Sequence, residues 1–307
     1  VSGTSGYTSA TINAGLIENK GIELSLSGTP IQNRNLRWEA SFNIARNRSM
    51  VVELYEGIDV YGYASTRYSS VTTYINSYEG KPFGSIVGQA YERDEATGKI
   101  LLDDENLPLY TDATHDFGSV LPDYTGGFLN TVQYKNIQLS AMIDFQVGGL
   151  FFSRSQSLAD RVGLSEKTAA INENGNNVRD DIAEGGGVKV HGISEDTGDE
   201  VTAFADAKDY YGRLGQRIAE AYIYDATYVK LREVRLGYIL PESLLGKMPF
   251  RKVTLALIAR NPLMIWQEAP QGLDPSELSS GSQSISWYES GQLNSVRSYG
   301  IDLNITF

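Results

Sequence analysis

The sequence predicts an all-β chain of antiparallel strands, and more narrowly a segment of a transmembrane β-barrel. Three observations carry this. Apolar residues recur at every second position through several segments of about ten residues, the length a tilted membrane strand needs. The connections between these segments alternate between short and long, as in a two-rimmed barrel. The final segment alternates strictly to an aromatic last residue, with Tyr299, Ile301, Leu303, Ile305 and Phe307 on one parity and Gly300, Asp302, Asn304 and Thr306 on the other. Chain termini of soluble domains are usually loose and polar, so a terminal strand closing on Phe favours a barrel.

Composition excludes several classes. The 307 residues include no cysteine, which removes disulfides, zinc–thiolate sites and cysteine nucleophiles. The net charge of −12 gives no basic footprint for nucleic acid. Only His115 and His191 are available for histidine chemistry, and neither has ligand spacing around it. Nineteen Tyr and 31 Gly suit strands and turns better than a helical bundle. No apolar run is long enough for a membrane-spanning helix. The first residues, Val1 to Gly6, carry neither an initiator Met nor a leader pattern, so the sequence reads as a mature form or as a start inside a longer chain.

Taken in order, the alternating segments are Ile22–Leu26, Trp38–Ile44, Phe128–Tyr134, Ile137–Phe145, Val234–Leu240, Val253–Ala259 and Tyr299–Phe307, with weaker candidates at Val71–Tyr78 and Phe83–Tyr91. That makes about nine strands. Short links are expected at Gly28–Asn35, Gly80–Pro82, Lys135–Asn136 and Pro241–Pro249. Long ones fall near 51–68, 94–123, 153–224 and 267–296. If the last strand ends at the periplasmic side, every long loop lies outside the cell. The 153–224 loop is too long to be structureless; it holds acidic residues, a Gly185–Gly187 break and a short helix expected over Ala207–Ala221.

Several motifs together resemble the SusC/RagA-type TonB-dependent outer-membrane transporters. They are Glu18-Asn19-Lys20-Gly21-Ile22-Glu23-Leu24, Asp225 to Val234 continuing through Leu236-Gly237-Tyr238, and Arg260-Asn261-Pro262-Leu263 closing on Trp266. Gly272-Leu273-Asp274-Pro275-Ser276-Glu277, Gly126-Gly127-Phe128 with Asn130-Thr131, Gly148-Gly149, and Arg297-Ser298-Tyr299 add to them in the family's order. Pro262 and Ser276 depart from the family pattern at loop edges. The resemblance implies a plugged barrel of about 22 strands. Residues 1–307 would then be the C-terminal portion of that barrel, the plug and earlier strands lying outside this chain. It further implies an outer-membrane importer of oligosaccharides or peptides, working with a SusD-like surface lipoprotein as lid and with TonB-supplied energy reaching it through the plug. The remaining barrel and outer-membrane lipid are its other partners. No cofactor is implied.

Site expectations are limited. Tyr210, Tyr211, Trp287 and Tyr288 are candidate contacts for cargo or lid, with loops 94–123, 153–224 and 267–296 facing the lid. Trp266 reads as a membrane-interface aromatic. Residues Tyr299 to Phe307 form the strand expected to serve barrel assembly. The carboxylates Asp103-Asp104-Glu105 and Asp180-Asp181 are not spaced to flank a substrate, so no catalytic or metal site is assigned. Gly185–Gly187 lacks the context of a phosphate loop. The competing reading is a soluble all-β carbohydrate-binding module; a surface hydrolase has least support.

Overall fold

A computed structural model describes residues 4, 6, 15–66, 71–246, 249–278, 286–293 and 295–307. No helix among them is long and apolar enough to cross a membrane. Seven strands form one antiparallel sheet in strict chain order. They are β1 (Gly15–Gln32), β2 (Leu36–Leu54), β3 (Tyr124–Tyr134), β4 (Ile137–Val147), β5 (Tyr228–Ile239), β6 (Lys252–Gln267) and β7 (Ser298–Thr306).

The register explains why these residues make this wall. Directly opposed residues of an antiparallel pair share a face. One such row crosses all seven strands through Ile31, Trp38, Val132, Leu139, Leu236, Leu257 and Ile301. Every member is apolar, and Leu139, Leu236, Leu257 and Ile301 are exposed. The neighbouring row runs through Leu36, Tyr134, Ile137, Tyr238, Leu255 and Leu303. The opposite face is polar, with Arg37, Gln133, Gln138 and Asp302 in one row. There Arg235 reaches Gln138 Oε1 at 3.1 Å and Asp302 Oδ1 at 3.0 Å. Gly237 and Ala256 lie between, and their small size lets the guanidinium span β6 to reach β7. A sheet wet on both sides does not keep one face apolar; a sheet with lipid on one side does.

Local chemistry sets the turns. Asn33 Oδ1 accepts from the amides of Asn35 and Leu36 at 2.9 Å each, so β1 and β2 are joined by only three residues. Lys135 and Asn136 join β3 to β4, with Lys135 at φ 52°. Gly126 sits under Phe145, whose ring tip would lie 2.6 Å from any added Cβ, and Phe42 stacks beside it with ring centroids 6.4 Å apart.

Short and long connections do alternate, but the strand count differs from expectation. Residues 71–78 and 83–91 are not wall strands. Thr73–Tyr78 and Ser85–Gly88 belong to a separate four-stranded sheet with Val60–Thr66 and His115–Ser119. Ile75, Ile86 and Val87 are fully buried there, so an alternating pattern marks a small packed sheet rather than a lipid-facing strand. Because they leave the wall as a pair, the up-and-down parity survives and the first two long loops merge into one, 55–123. The others run over 148–227 and 268–297. The expected first turn also shortens, because Gly28–Gln32 belong to β1.

The three long loops make a single module on one rim. Leu101–Leu102 of the first pairs in parallel with the strand Val188–Ser194 of the second. Leu150–Ser153 of the second pairs with Tyr288–Glu289 of the third. A shared core joins Ile75, Ile86 and Val120 to Phe152, Ile218, Tyr222 and Trp287. Helices α1 (Arg154–Arg161) and α2 (Ala207–Arg217) pack at Gly215, where a Cβ would stand 2.5 Å from the Ser157 carbonyl.

Ile143→Arg, in the middle of the apolar face of β4, is expected to destabilise the folded protein in lipid vesicles by about 2–4 kcal/mol. Thr131→Arg on the polar face is expected to cost less than about 1 kcal/mol. Denaturant titration of both variants in the same vesicles separates the two faces.

Candidate functional site

The rim module is fastened to the wall by buried charge. Lys230 of β5 lies on the polar face opposite Asp144 and is 3% exposed. An ammonium has three protons to place. Its Nζ meets Asp274 Oδ2 at 2.6 Å, Ser276 Oγ at 2.9 Å and Ser295 Oγ at 2.6 Å, all from the last long loop. Two residues on, Arg232 binds both oxygens of Asp144 at 2.8 and 2.9 Å and Glu277 at 3.3 Å. A β-bulge at Arg232, matched on β6 by Asn261-Pro262, interrupts the alternation. An extra residue at a bulge re-aims the side chains around it. Lys230, two residues before it, and Arg232, the bulged residue, both reach the loop, while Glu233 and Arg235 continue the polar face. Pro262, which lacks an amide proton, stands where the ladder is already broken.

Asp274 does two jobs. Its Oδ1 accepts from the Ser276 amide at 3.1 Å and so caps the turn Pro275–Glu277. Burial raises its carboxyl, but the Lys230, Ser276 and Ser295 donors outweigh burial and hold it below the ordinary range. A depressed folded pKa stabilises above the unfolded value of about 3.9, and that contribution is lost as pH falls through the lower folded value. The sequence singled out the two stretches involved, Asp225–Val234 and Gly272–Glu277, without pairing them. The available signal was complementary charge in two motifs about 40 residues apart.

The four aromatic candidates are all in the rim module, at unequal depth. Trp287 is 1% exposed and lies in the shared core, and its carbonyl accepts from the Phe152 amide at 3.0 Å. Tyr288 is half-buried, with ring centroid 5.2 Å from Trp287. Tyr211 is buried and donates to the Lys167 carbonyl at 3.0 Å. Burial, then Tyr210 and Asp160, push its hydroxyl up to about 12. Tyr210 is half-buried and meets Tyr211 edge-on at 5.2 Å. Trp266, at the upper end of β6, is 48% exposed on the apolar face, where an interface aromatic belongs. On β7, Tyr299, Ile301, Leu303 and Ile305 are exposed on that face too, and Phe307 meets Phe250 edge-on.

Behind the tyrosines lies Asp160, 1% exposed, which accepts from Tyr222 at 2.9 Å and Ser165 at 2.6 Å and pairs with Lys167 at 2.6 Å. Beside it are two adjoining clefts. One of 410 Å³ includes Asp160, Arg179, Lys208 and Tyr211 in its walls. The other, of 830 Å³, carries both charges, with Glu92, Glu105 and Asp112 facing Arg213 and Arg217. The acidic runs flagged in the sequence serve structure. Asp103 pairs with Arg213 and accepts from the amides of Glu105 and Leu107, and Asp181 caps Ala183. His191 pairs with Glu200 at 3.0 Å, and His115 packs on Phe117. No cluster of three metal-ligating side chains occurs among the described residues.

Lys230→Met leaves Asp274 buried without its cation and is expected to cost about 3–5 kcal/mol of loop anchoring. Hydrogen exchange across 268–297 should rise in this variant while β5 and β6 stay protected. The same loop is expected to become more exchangeable as pH falls below about 3.9, with no change between pH 6 and 8. Trp287→Ala should loosen all three loops together at a cost of about 3–5 kcal/mol, read by protease susceptibility.

No family model matches the chain. Over 99% of its length it is 26% identical to TonB-dependent receptor P3 of Formosa agariphila, and over 98% it is 25% identical to TonB-dependent receptor P26 of that organism. It spans 30% of the length of each. Among solved structures, the RagAB peptide importer in its open-open state matches 99% of the chain with a TM-score of 0.62 at 20% identity. The closed-closed state matches 97% with a TM-score of 0.60 at 21% identity. In both cases the chain covers 30% of the solved chain. The chain is thus similar in sequence to TonB-dependent receptors along nearly its whole length, and its wall and rim share the fold of part of the RagAB peptide importer.

Proposed function

We propose that the chain forms the C-terminal part of the wall, and much of the outer rim, of an active importer of oligosaccharides or peptides. The observation that carries this is the seven-strand wall, apolar on one face and polar on the other, with every long loop gathered on one rim. The remaining strands and the plug belong to the rest of the same protein. They satisfy the backbone edges that β1 and β7 present, since an unpaired edge is not tolerated in hydrocarbon. TonB supplies energy through the plug. The long-loop rim faces the outside and meets a SusD-like lipoprotein lid. Tyr210 and Tyr288, half-buried, contact lid or cargo, with Tyr211 and Trp287 bracing them from behind. The terminal strand from Tyr299 to Phe307 serves insertion and assembly. The mixed charge of the 830 Å³ cleft suits a cargo with both charge signs, which supports the peptide reading. A soluble carbohydrate-binding module is disfavoured by the apolar face that the wall exposes.

The test is uptake by cells that carry or lack the gene containing this chain, supplied with defined peptides or oligosaccharides as sole nutrient. Loss of growth on one class, reproduced by removing TonB, is expected. Unchanged growth on both, or a folded monodisperse chain obtained without detergent, contradicts the proposal.

A further inference from the structure

The apolar face of the wall carries one concentrated exception to its own pattern. Below Leu16, and setting aside bulge residues, the register places charged side chains on that face at four described positions: Glu18, Lys20, Arg46 and Arg48. All four stand together on β1 and β2, toward the long-loop rim. Ile22 opposes Arg46 and Lys20 opposes Arg48, so three cations occupy adjacent same-face positions. Neighbours of this kind lie about 5–7 Å apart.

Two observations show that the cluster is unfinished. Like charges directly opposite across a strand pair are destabilising, and Lys20 faces Arg48 in that way. The partners on hand are few. Lys20 pairs with Glu18 at 2.7 Å, but the two side chains are 75% and 47% exposed, so the pair offsets little. Neither Arg46 nor Arg48 has an ion-pair partner among the described residues. Arg46 instead lies over the Tyr124 ring, 5.1 Å from its centroid, which holds the guanidinium in place, and its Nε is buried without a hydrogen-bond partner. In a chain of net charge −12, a cluster in which cations outnumber anions three to one on the lipid-facing side is not a general excess of base.

Height identifies what the cluster meets. Arg46 follows Leu36, at the start of β2, by ten positions. That is about 33 Å at about 3.3 Å per residue, and a strand tilt of about 40° reduces it to about 25 Å, the height of a barrel's apolar band. Leu36 therefore stands at one edge of the hydrocarbon and Arg46 at the other, with Arg48 and Lys20 just above, at headgroup level. An aromatic stacked beneath an arginine at this level is an interface anchor. Basic clusters at a membrane surface select anionic headgroups.

We propose that Lys20, Arg46 and Arg48 form a binding site for the phosphate groups of the outer-leaflet glycolipid, with Tyr124 packing against its sugar or upper acyl region. The inference rests on the orientation proposed above, with the long loops outside. Guanidinium forks suit phosphate oxygens, and the lysine completes the charge. A lipid held here would lie against β1 and β2 where residues 80–83 of the first long loop hydrogen-bond to Ser49 and Val51. That contact extends the effect of the lipid from the wall into the rim module.

The test uses the complete transporter purified in detergent. Binding is measured with purified lipopolysaccharide, with the same lipid after enzymatic removal of its lipid A phosphates, and with phosphatidylglycerol as a general anionic control. The intact lipid should bind best, and removing the phosphates should weaken it at least about tenfold. Removing the charges in the protein, as K20Q/R46Q/R48Q, should lose about fivefold per cation, while R46K/R48K, which keeps the charge but loses the guanidinium forks, should bind more weakly than the unmodified protein and more tightly than the triple Gln variant. Nutrient uptake by the triple Gln variant should persist, so this inference and the transport reading fail separately. Equal binding of the dephosphorylated lipid by the unmodified protein would overturn the site, and so would unchanged binding by a triple Gln variant that remains folded. Equal or better binding of phosphatidylglycerol would overturn the assignment to the outer leaflet.

Discussion

In hydrocarbon there is no water to take a backbone hydrogen bond, so each strand of a membrane wall must find its partners in the strands beside it. The architecture follows from that constraint. The seven wall strands pair strictly in chain order, because tight turns at Asn33–Asn35 and Lys135–Asn136 and an occasional long excursion are enough to bring each strand beside the last. Continuous pairing fixes the register, and the register sorts side chains by parity. The row from Ile31 to Ile301 goes to one side, and Arg235 with its partners Gln138 and Asp302 goes to the other. Departures from regularity are confined to bulges. The clearest, at Arg232 and Asn261-Pro262, lies where β5 must send two cations toward the rim.

The rim obeys soluble rules. Its sheets are small, its core holds Trp287, Tyr222 and Ile75 away from water, and its acidic residues cap turns or meet arginines. The two regimes meet at Lys230. A buried ammonium that finds three acceptors, all from one loop, ties that loop to the wall, and Trp287 in the same loop ties it to the other two. Wall and rim are thereby one mechanical unit. Tyr210 and Tyr288 pack against this core, which the loop carrying Trp287 joins to β5 through Lys230.

The wall was largely legible in the sequence because its period-two alternation has one cause, a single lipid boundary. The same pattern misled at 71–78 and 83–91, where alternation reflects a small sheet buried in the rim. Local period cannot tell lipid from protein on the far side of a strand. Glycine and asparagine marked the short turns well, though β1 continues through Thr29 and Pro30 to Gln32. Depth in the rim was not legible. Trp287 and Tyr211 lie in loop sequence, and only tertiary packing among three distant segments buries them. The Lys230–Asp274 contact was hidden in another way: both stretches stood out as motifs, but 44 residues separate the two side chains and nothing local pairs them.

The claim on which the rest depends is that one face of the wall meets lipid. These 307 residues contain no cysteine, so once any cysteine elsewhere in the complete protein is replaced, the claim is directly measurable. Single cysteines placed in turn at Gln138, Leu139, Ser140 and Ala141 of β4, in the complete protein in vesicles, can be labelled with a fluorophore and exposed to quenchers dissolved in lipid or in water. Labels at Leu139 and Ala141 should be quenched from the lipid and those at Gln138 and Ser140 from water, alternating residue by residue. Equal quenching of all four from water would contradict a lipid-facing wall.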